Sequence, residues 1–305
     1  MEIYLENKDI ENYLTNQAES IKKMIDNLDL NWPHYSVVKN LLEETMMEIG
    51  KNNVKSNIIL PSLKHERKIE KYINWVEVYR LANYHFSKYT SVNTSYSEGL
   101  FSTLIALNNM HIHSDDIKNI GIIGCGPGRS VLDFSFAYPN STVYGLDYSL
   151  VSLVLAKNIV SSNKKNIEII RRDDEVIIDK INGFNRNNCR WGMFDLSKSS
   201  LNQKFDIVVC SNVINLMPDH KDAINKVYDM LKPNGYLIYA DLTGWRLDRK
   251  KEQQLLCDKK TIRNSFEEIG FNTIECFDGG PYIEKDNKDN FTFYKQTYYI
   301  GKKVK

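Results

Sequence analysis

Two hydrophobic rhythms run along the chain, and one replaces the other near residue 118. Before that point apolar residues recur three or four apart over Glu2 to Leu28, His34 to Ile49, Leu63 to Phe86 and Ser97 to Met110, which predicts four helical stretches. Asn31-Trp32-Pro33 and Asn57 to Ser62 break them. Beyond it, short apolar runs alternate with helical patterns. Strands are predicted at Asn119 to Gly124, Thr142 to Leu146, Trp191 to Phe194, Phe205 to Ser211, Tyr236 to Asp241, Asn272 to Phe277 and Thr292 to Gly301, with Ile167 to Arg171 a further candidate for the third strand. Helices are predicted at Ser130 to Ala137, Leu150 to Asn163, Lys221 to Leu231 and Thr261 to Ile269, and Pro233-Asn234-Gly235 marks a turn. Such alternation implies a mostly parallel sheet with helices on both faces, and the last two strands, joined by a loop, an antiparallel edge. The expected class is α/β and doubly wound, with a helical region at 1–117 ahead of a sheet domain at 118–305.

Composition narrows the picture. At 305 residues the chain exceeds one small core, which suits a large α/β domain with an added layer or a second small domain. A net charge of +1 makes no electrostatic case for a nucleic-acid or membrane-surface partner, and the basic cluster Arg246 to Lys251 reads as solvated surface. Cys125, Cys189, Cys210, Cys257 and Cys276 form no Cys-x-x-Cys pair, have no histidines at metal spacing and follow no secretory leader pattern. Reduced thiols in a cytoplasmic protein without a structural metal are the expectation, Cys125 and Cys210 serving as small buried side chains. No run of about 18 apolar residues offers a membrane span. The aromatic residues of the first region, among them Trp32, Tyr72, Trp75 and Tyr79, suit core packing and also a small-molecule pocket.

The candidate chemistry begins at Ile122 to Phe134, IIGCGPGRSVLDF, where Gly124, Gly126 and Gly128 lie in the first strand-to-helix turn of the sheet domain. Glycine there lets the backbone approach a ligand at the carboxyl ends of the strands. A dinucleotide site would call for Gly-x-Gly-x-x-Gly. Here the third glycine comes one residue early and Pro127 removes an N–H that a phosphate would use, which favours a nucleoside without phosphate. Asp147, 19 residues after Gly128, ends the second strand, where its carboxylate can accept from ribose hydroxyls or cap the following helix. Phe194-Asp195 follows another short strand, at the place of an adenine ring and its exocyclic amine.

On these residues the sequence resembles the class I S-adenosylmethionine-dependent methyltransferases. The likeness covers 118–305: the turn Ile123 to Arg129, Gly145-Leu146-Asp147-Tyr148-Ser149, Phe194-Asp195-Leu196, Phe205 to Val208, and Leu231-Lys232-Pro233-Asn234-Gly235. It implies a Rossmann-like sheet of seven strands with an antiparallel C-terminal edge, S-adenosylmethionine as cofactor, and 1–117 as a lid. It further implies a cofactor site of Gly124, Cys125, Gly126, Gly128, Arg129, Asp147, Tyr148, Phe194, Asp195 and Ser211. The family's acceptor signal follows the fourth strand, at Ser211 to Met217. The Asp-Pro-Pro-aromatic pattern of base-amine methylation is missing there, which argues against a DNA amine. Asn212 and Asn215 can orient substrate or cap the next helix, and Tyr84 and Tyr96 are lid candidates, with Arg80 and Tyr89 beside them. His220 reads as a general base in some relatives and more simply as a surface histidine; Asp241 is weighed as a metal ligand, but its companion ligands are missing. The C-terminal strands are loosely similar to those of ovothiol-type methyltransferases. The resemblance leaves three functions open: methyl transfer to a small polar metabolite, cyclisation of S-adenosylmethionine itself as in azetidine-2-carboxylate synthases, or cofactor binding without turnover. A small-molecule substrate is expected in the first case; the sequence says nothing of oligomeric state.

Overall fold

Asn119–Ile123 and Phe205–Ser211 are continuous apolar runs, and both lie in the middle of the sheet, buried on two faces. In the computed structural model the described residues are 2–3, 18, 22, 35–52, 116–172, 177–198, 200–243, 258–279, 282–285 and 291–304. Their elements, in chain order, are β1 (Glu2–Ile3), α1 (Tyr35–Asn52), β2 (Asn119–Ile123), α2 (Arg129–Ala137), β3 (Thr142–Asp147), α3 (Leu150–Val160), β4 (Ile167–Arg172) and β5 (Ile177–Ile181). There follow β6 (Cys189–Met193), β7 (Phe205–Ser211), α4 (His220–Met230), β8 (Leu231–Thr243), α5 (Lys259–Ile269), β9 (Phe271–Asp278), β10 (Tyr282–Lys285) and β11 (Phe291–Lys303).

The main sheet runs β1-β6-β3-β2-β7-β8-β11-β10, with β9 also on β11. Seven of these strands, β6-β3-β2-β7-β8-β11-β9, form the expected frame, parallel from β6 to β8 and antiparallel at β11 and β9. The strand order reverses between β2 and β7. That reversal is a topological switch point, where the carboxyl ends splay apart and leave a crevice. On one face α2 and α3 bury Val131, Phe134, Val151 and Ile159; on the other α4 and α5 bury Ile224, Val227, Ile262 and Phe266. Helix α1, inside the 1–117 region, adds a layer over α3: Val38 and Leu42 are fully buried, and Glu44 and Glu48 pair with Lys164 and Lys157.

Two sequence expectations are corrected. Ile167–Arg172 lies outside the main sheet, in an antiparallel pair with β5, and the third strand of the parallel set is Cys189–Met193. Both runs are of strand length and mix apolar with charged residues; pairing to β3 tells them apart. Glu2–Ile3 is a strand parallel to β6 rather than the start of a helix, because the open edge of β6 offers backbone partners that a lone helical turn lacks. The predicted helices Leu63 to Phe86 and Ser97 to Met110 lie outside the described residues.

The Pro233-Asn234-Gly235 turn loops out of the β7–β8 ladder. Phe205 pairs with Leu231 and Ile207 with Tyr236, while Asn234 takes a φ of 62°. At α5 a capping box closes the helix start: Asp258 Oδ1 accepts from the Thr261 N–H at 2.8 Å and Thr261 Oγ1 from the Asp258 N–H at 3.1 Å. Asp258→Ala is expected to cost about 1 kcal/mol in chemical denaturation.

Candidate active site

The three glycines of the first turn all have positive φ, but each is required for a different reason. A Cβ on Gly124 would meet Val213 Cγ2 at 2.2 Å, so this glycine lets the turn seat on the segment after β7. A Cβ on Gly128 would meet Ala156 at 2.9 Å, Val160 at 3.1 Å and Trp191 at 3.2 Å, so it lets α2 start close against α3 and β6. Nothing lies within 4 Å of a Cβ on Gly126. It is this middle glycine that faces open space at the switch point, with a backbone a ligand can approach.

Hydrogen bonds fix the turn to the neighbouring strand ends. Cys125 N–H donates to Leu146 O at 3.1 Å and Gly126 N–H to Asp147 Oδ2 at 2.8 Å. Asp147 Oδ1 accepts from Ser149 N–H at 2.9 Å, and its carbonyl accepts from Phe194 N–H at 2.9 Å. The cap of α3 is Ser149, which accepts from Ser152 N–H, so Asp147 ties three loops together and does not cap that helix. Burial raises its carboxyl pKa, against the pull of the amide donors. Asp195 Oδ1 accepts from the Ser197 N–H and hydroxyl, and Oδ2 lies 3.4 Å from Lys198 Nζ. Phe194 is buried beside it.

Across the crevice, Asn212 leaves β7 with a φ of 55°, a left-handed conformation that asparagine tolerates, and its N–H donates to Ala240 O at 2.8 Å. Its side-chain Oδ1 is buried and has no hydrogen-bond partner. Asn215 sits in the short 3-10 turn Ile214–Leu216. The cap of α4 is Asp219, so the capping role weighed for Asn215 is corrected: its N–H donates to Asp241 Oδ2 at 3.2 Å and its Nδ2 to Leu242 O at 3.3 Å. His220, expected at the surface, is buried at 6% exposure as the first residue of α4.

Asp241, at the carboxyl end of β8, is fully buried, and burial pushes its carboxyl up to about 7 against the pull of the donors Leu242 N–H and Asn215 N–H. A carboxyl raised in this way holds its proton more tightly folded than unfolded. Its contribution therefore favours folding at low pH and is lost as pH rises from about 4 through 7, by up to about 4 kcal/mol. Asp147 acts with the same sign. Stability by chemical denaturation is expected to be lower at pH 8 than at pH 5, with a shallower slope in Asp241→Asn.

The remaining candidates are distributed unevenly. Arg129 Nε contacts both carboxylate oxygens of Asp133, at 2.9 Å each, one turn further along α2. Tyr148 is 56% exposed at the end of β3, Cys125 is buried with its thiol raised by burial, and Ser211 ends β7 beside Ala240. Tyr84 and Tyr96, like Arg80 and Tyr89, lie outside the described residues. Among the described residues no helix is long and apolar enough to cross a membrane, and no cluster of three or more His, Cys, Asp or Glu side chains could hold a metal. The sequence reading missed the contact of Val213 with Gly124, which no local pattern signals, and the bonds Asp241 makes.

This set of groups, rich in acceptors, suits a nucleoside carrying no phosphate. An open glycine a Cβ would fill, a carboxylate at the end of β3, a second acid after β6 and an orphaned buried acceptor at Asn212 surround the crevice, and no basic side chain lies in the glycine turn ahead of Arg129. Comparison with known proteins agrees. A 26% identical match over 152 residues links 48% of this chain to 52% of the uncharacterized protein RP028 of Rickettsia prowazekii. A 22% identical match over 152 residues links 48% of it to 54% of a ubiquinone biosynthesis O-methyltransferase of Erwinia tasmaniensis. The chain thus spans about half the length of the curated relatives it matches. The magnesium protoporphyrin IX methyltransferase of Synechocystis PCC 6803, solved with bound S-adenosylhomocysteine, shares the fold with a TM-score of 0.51 at 14% identity, over 78% of this chain and 99% of that one. The family model described as a methyltransferase domain matches residues 123–295, from the glycine turn through the antiparallel edge; the chain belongs to that family, and S-adenosylmethionine is its cofactor.

Proposed function

We propose that the protein transfers the methyl group of S-adenosylmethionine to a hydroxyl or amine of a small polar metabolite, such as an amino acid or a natural-product intermediate. The observation that carries this reading is the open face of Gly126, whose N–H is held by the Asp147 carboxylate, together with the orphaned Asn212 acceptor at the end of β7. The cofactor supplies an electrophilic methyl group on a sulfonium. The chain has mainly to hold a nucleophile in line with it.

In this reading Gly126, Asp147 and Tyr148 hold the ribose and methionine side, Phe194 and Asp195 the adenine, and Ser211 borders the sulfonium. Gly124, Cys125, Gly128 and Arg129 shape the turn. Asn212 Oδ1 accepts from the O–H or N–H of the methyl acceptor, whose burial beside it would satisfy an atom otherwise left without a partner. Asn215 keeps that turn in place, Tyr84 and Tyr96 contribute from the lid at 1–117, and 118–305 is the catalytic domain. The likeness to an O-methyltransferase of ubiquinone biosynthesis makes hydroxyl acceptors the first to test.

The test is to incubate the purified protein with S-adenosylmethionine, alone and with hydroxy and amino acids, and to identify the nucleoside formed. S-adenosylhomocysteine that appears only with an acceptor supports transfer. Methylthioadenosine without any acceptor would replace it by intramolecular displacement, and no product at all, with binding retained, by a cofactor-binding protein.

A further inference from the structure

Asp241 belongs to none of the groups assigned above to cofactor or acceptor, yet it joins two walls of the crevice. Its Oδ2 accepts from Asn215 N–H at 3.2 Å and its Oδ1 from Leu242 N–H at 2.8 Å. Asn215 Nδ2 returns a bond to Leu242 O at 3.3 Å, and Asn212 N–H reaches Ala240 O at 2.8 Å. The segment Asn212 to Asn215 is therefore fastened to the end of β8 at both of its ends. Between the fastenings lies Val213, whose side chain fills the place a Cβ would take on Gly124, the first residue of the glycine turn. The connection runs from Asp241 to Asn215, back along the chain to Val213, and from Val213 to Gly124.

We propose that Asp241 is a positioning residue for cofactor binding: its buried carboxylate clamps the turn after β7 to β8 and thereby sets Val213 against Gly124, fixing the shape of the turn on which S-adenosylmethionine rests. This rests on the cofactor reading given above. An ionised carboxylate accepts from both amides through charge-assisted bonds, whereas a protonated one keeps one weaker acceptor and adds an O–H that needs a partner of its own. The clamp is thus tightest when Asp241 is charged, although that charge is the form burial disfavours. Among the described residues, the titratable groups facing Asp241 are the Tyr239 hydroxyl on its own strand and the Cys210 thiol on β7, both raised by burial and neutral in the working range. On β11 its paired residue is Thr297, whose hydroxyl donates to Asp278 on β9, and Asp278 is ion-paired with Lys259 and Lys295.

A merely structural role and a positioning role predict opposite signs. If Asp241 acted on cofactor affinity only through stability, S-adenosylmethionine binding would weaken or stay level as pH rises and stability falls. As a clamp, it makes binding tighten over the same interval.

The experiment is calorimetric titration of S-adenosylmethionine into wild type and Asp241→Asn at pH 6, 7 and 8, with hydrogen exchange of 212–217 measured on wild type at the same pH values. The ligand's own titration is common to both proteins and drops out of the comparison. The expected result is an affinity gain from pH 6 to 8 larger in wild type than in the variant by about fivefold or more. Exchange of 212–217 in wild type, corrected for intrinsic rates, is expected to slow. Parallel profiles in the two proteins, or exchange that does not slow, would overturn the clamp while leaving the cofactor site standing. Should Asp241→Asn fail to fold, the wild-type exchange profile decides by itself. Absence of binding at every pH would overturn the cofactor reading and the clamp together.

Discussion

Gly124→Ala is expected to lower stability by about 2–5 kcal/mol, through the added methyl group forced against buried Val213 and the strain of an L side chain at a φ of 65°. Affinity for S-adenosylmethionine should fall with it, because the turn must lift from the segment after β7. Gly126→Ala is the informative contrast. Its φ of 50° carries the backbone strain, but the space around it is open, so the loss of stability should stay at about 1–2 kcal/mol. Its methyl group would instead stand where the cofactor approaches. Denaturation and calorimetry on the two variants separate these effects. Gly126→Ala that binds the cofactor as wild type does would remove the middle glycine from the site.

Asp147→Ala is expected to weaken S-adenosylmethionine binding by about 1–3 kcal/mol, the range for losing an acceptor to a buried partner, and to destabilise the fold as well. The fold suffers because the Gly126 and Ser149 N–H groups lose the carboxylate that holds them. Asp147→Asn keeps the size of the side chain and isolates the charge. Comparing S-adenosylmethionine with its 2′-deoxy analogue tests the ribose assignment directly. A carboxylate that holds the 2′-hydroxyl makes wild type discriminate between them and Asp147→Ala lose that discrimination. Equal preference in both proteins would leave Asp147 as a tie between loops.

Asp147 shows how far a linear reading reaches. Its place at the end of an apolar run, a fixed distance after the glycines, marks it for the crevice, but the two roles weighed for it, ribose acceptor and helix cap, left out the one the fold displays. Gly126 and Asp147 are 21 residues apart, and their bond forms because β2 and β3 pair in parallel register and bring both strand ends to one level. The surface position of His220 and the capping role of Asn215 fail for a related reason. A polar Pro-Asp-His-Lys stretch looks exposed, yet the side chain's burial depends on how α4 docks on the sheet.

The succession of apolar runs and helical patterns was sufficient for fold class, for the place of six of the seven strands of the frame, and for the position of the crevice, because burial on two faces of a parallel sheet leaves a signal in every segment separately; β8, Leu231–Thr243, begins earlier than the run Tyr236 to Asp241. Three matters lay beyond it. The choice of Cys189–Met193 over Ile167–Arg172 as the third strand, the division of labour among three glycines, and the bonding of Asp241 to a turn 26 residues away are settled by contacts between segments distant in the chain. Such contacts depend on register and on the close fit of side chains, and a residue's own neighbours in sequence carry no record of either.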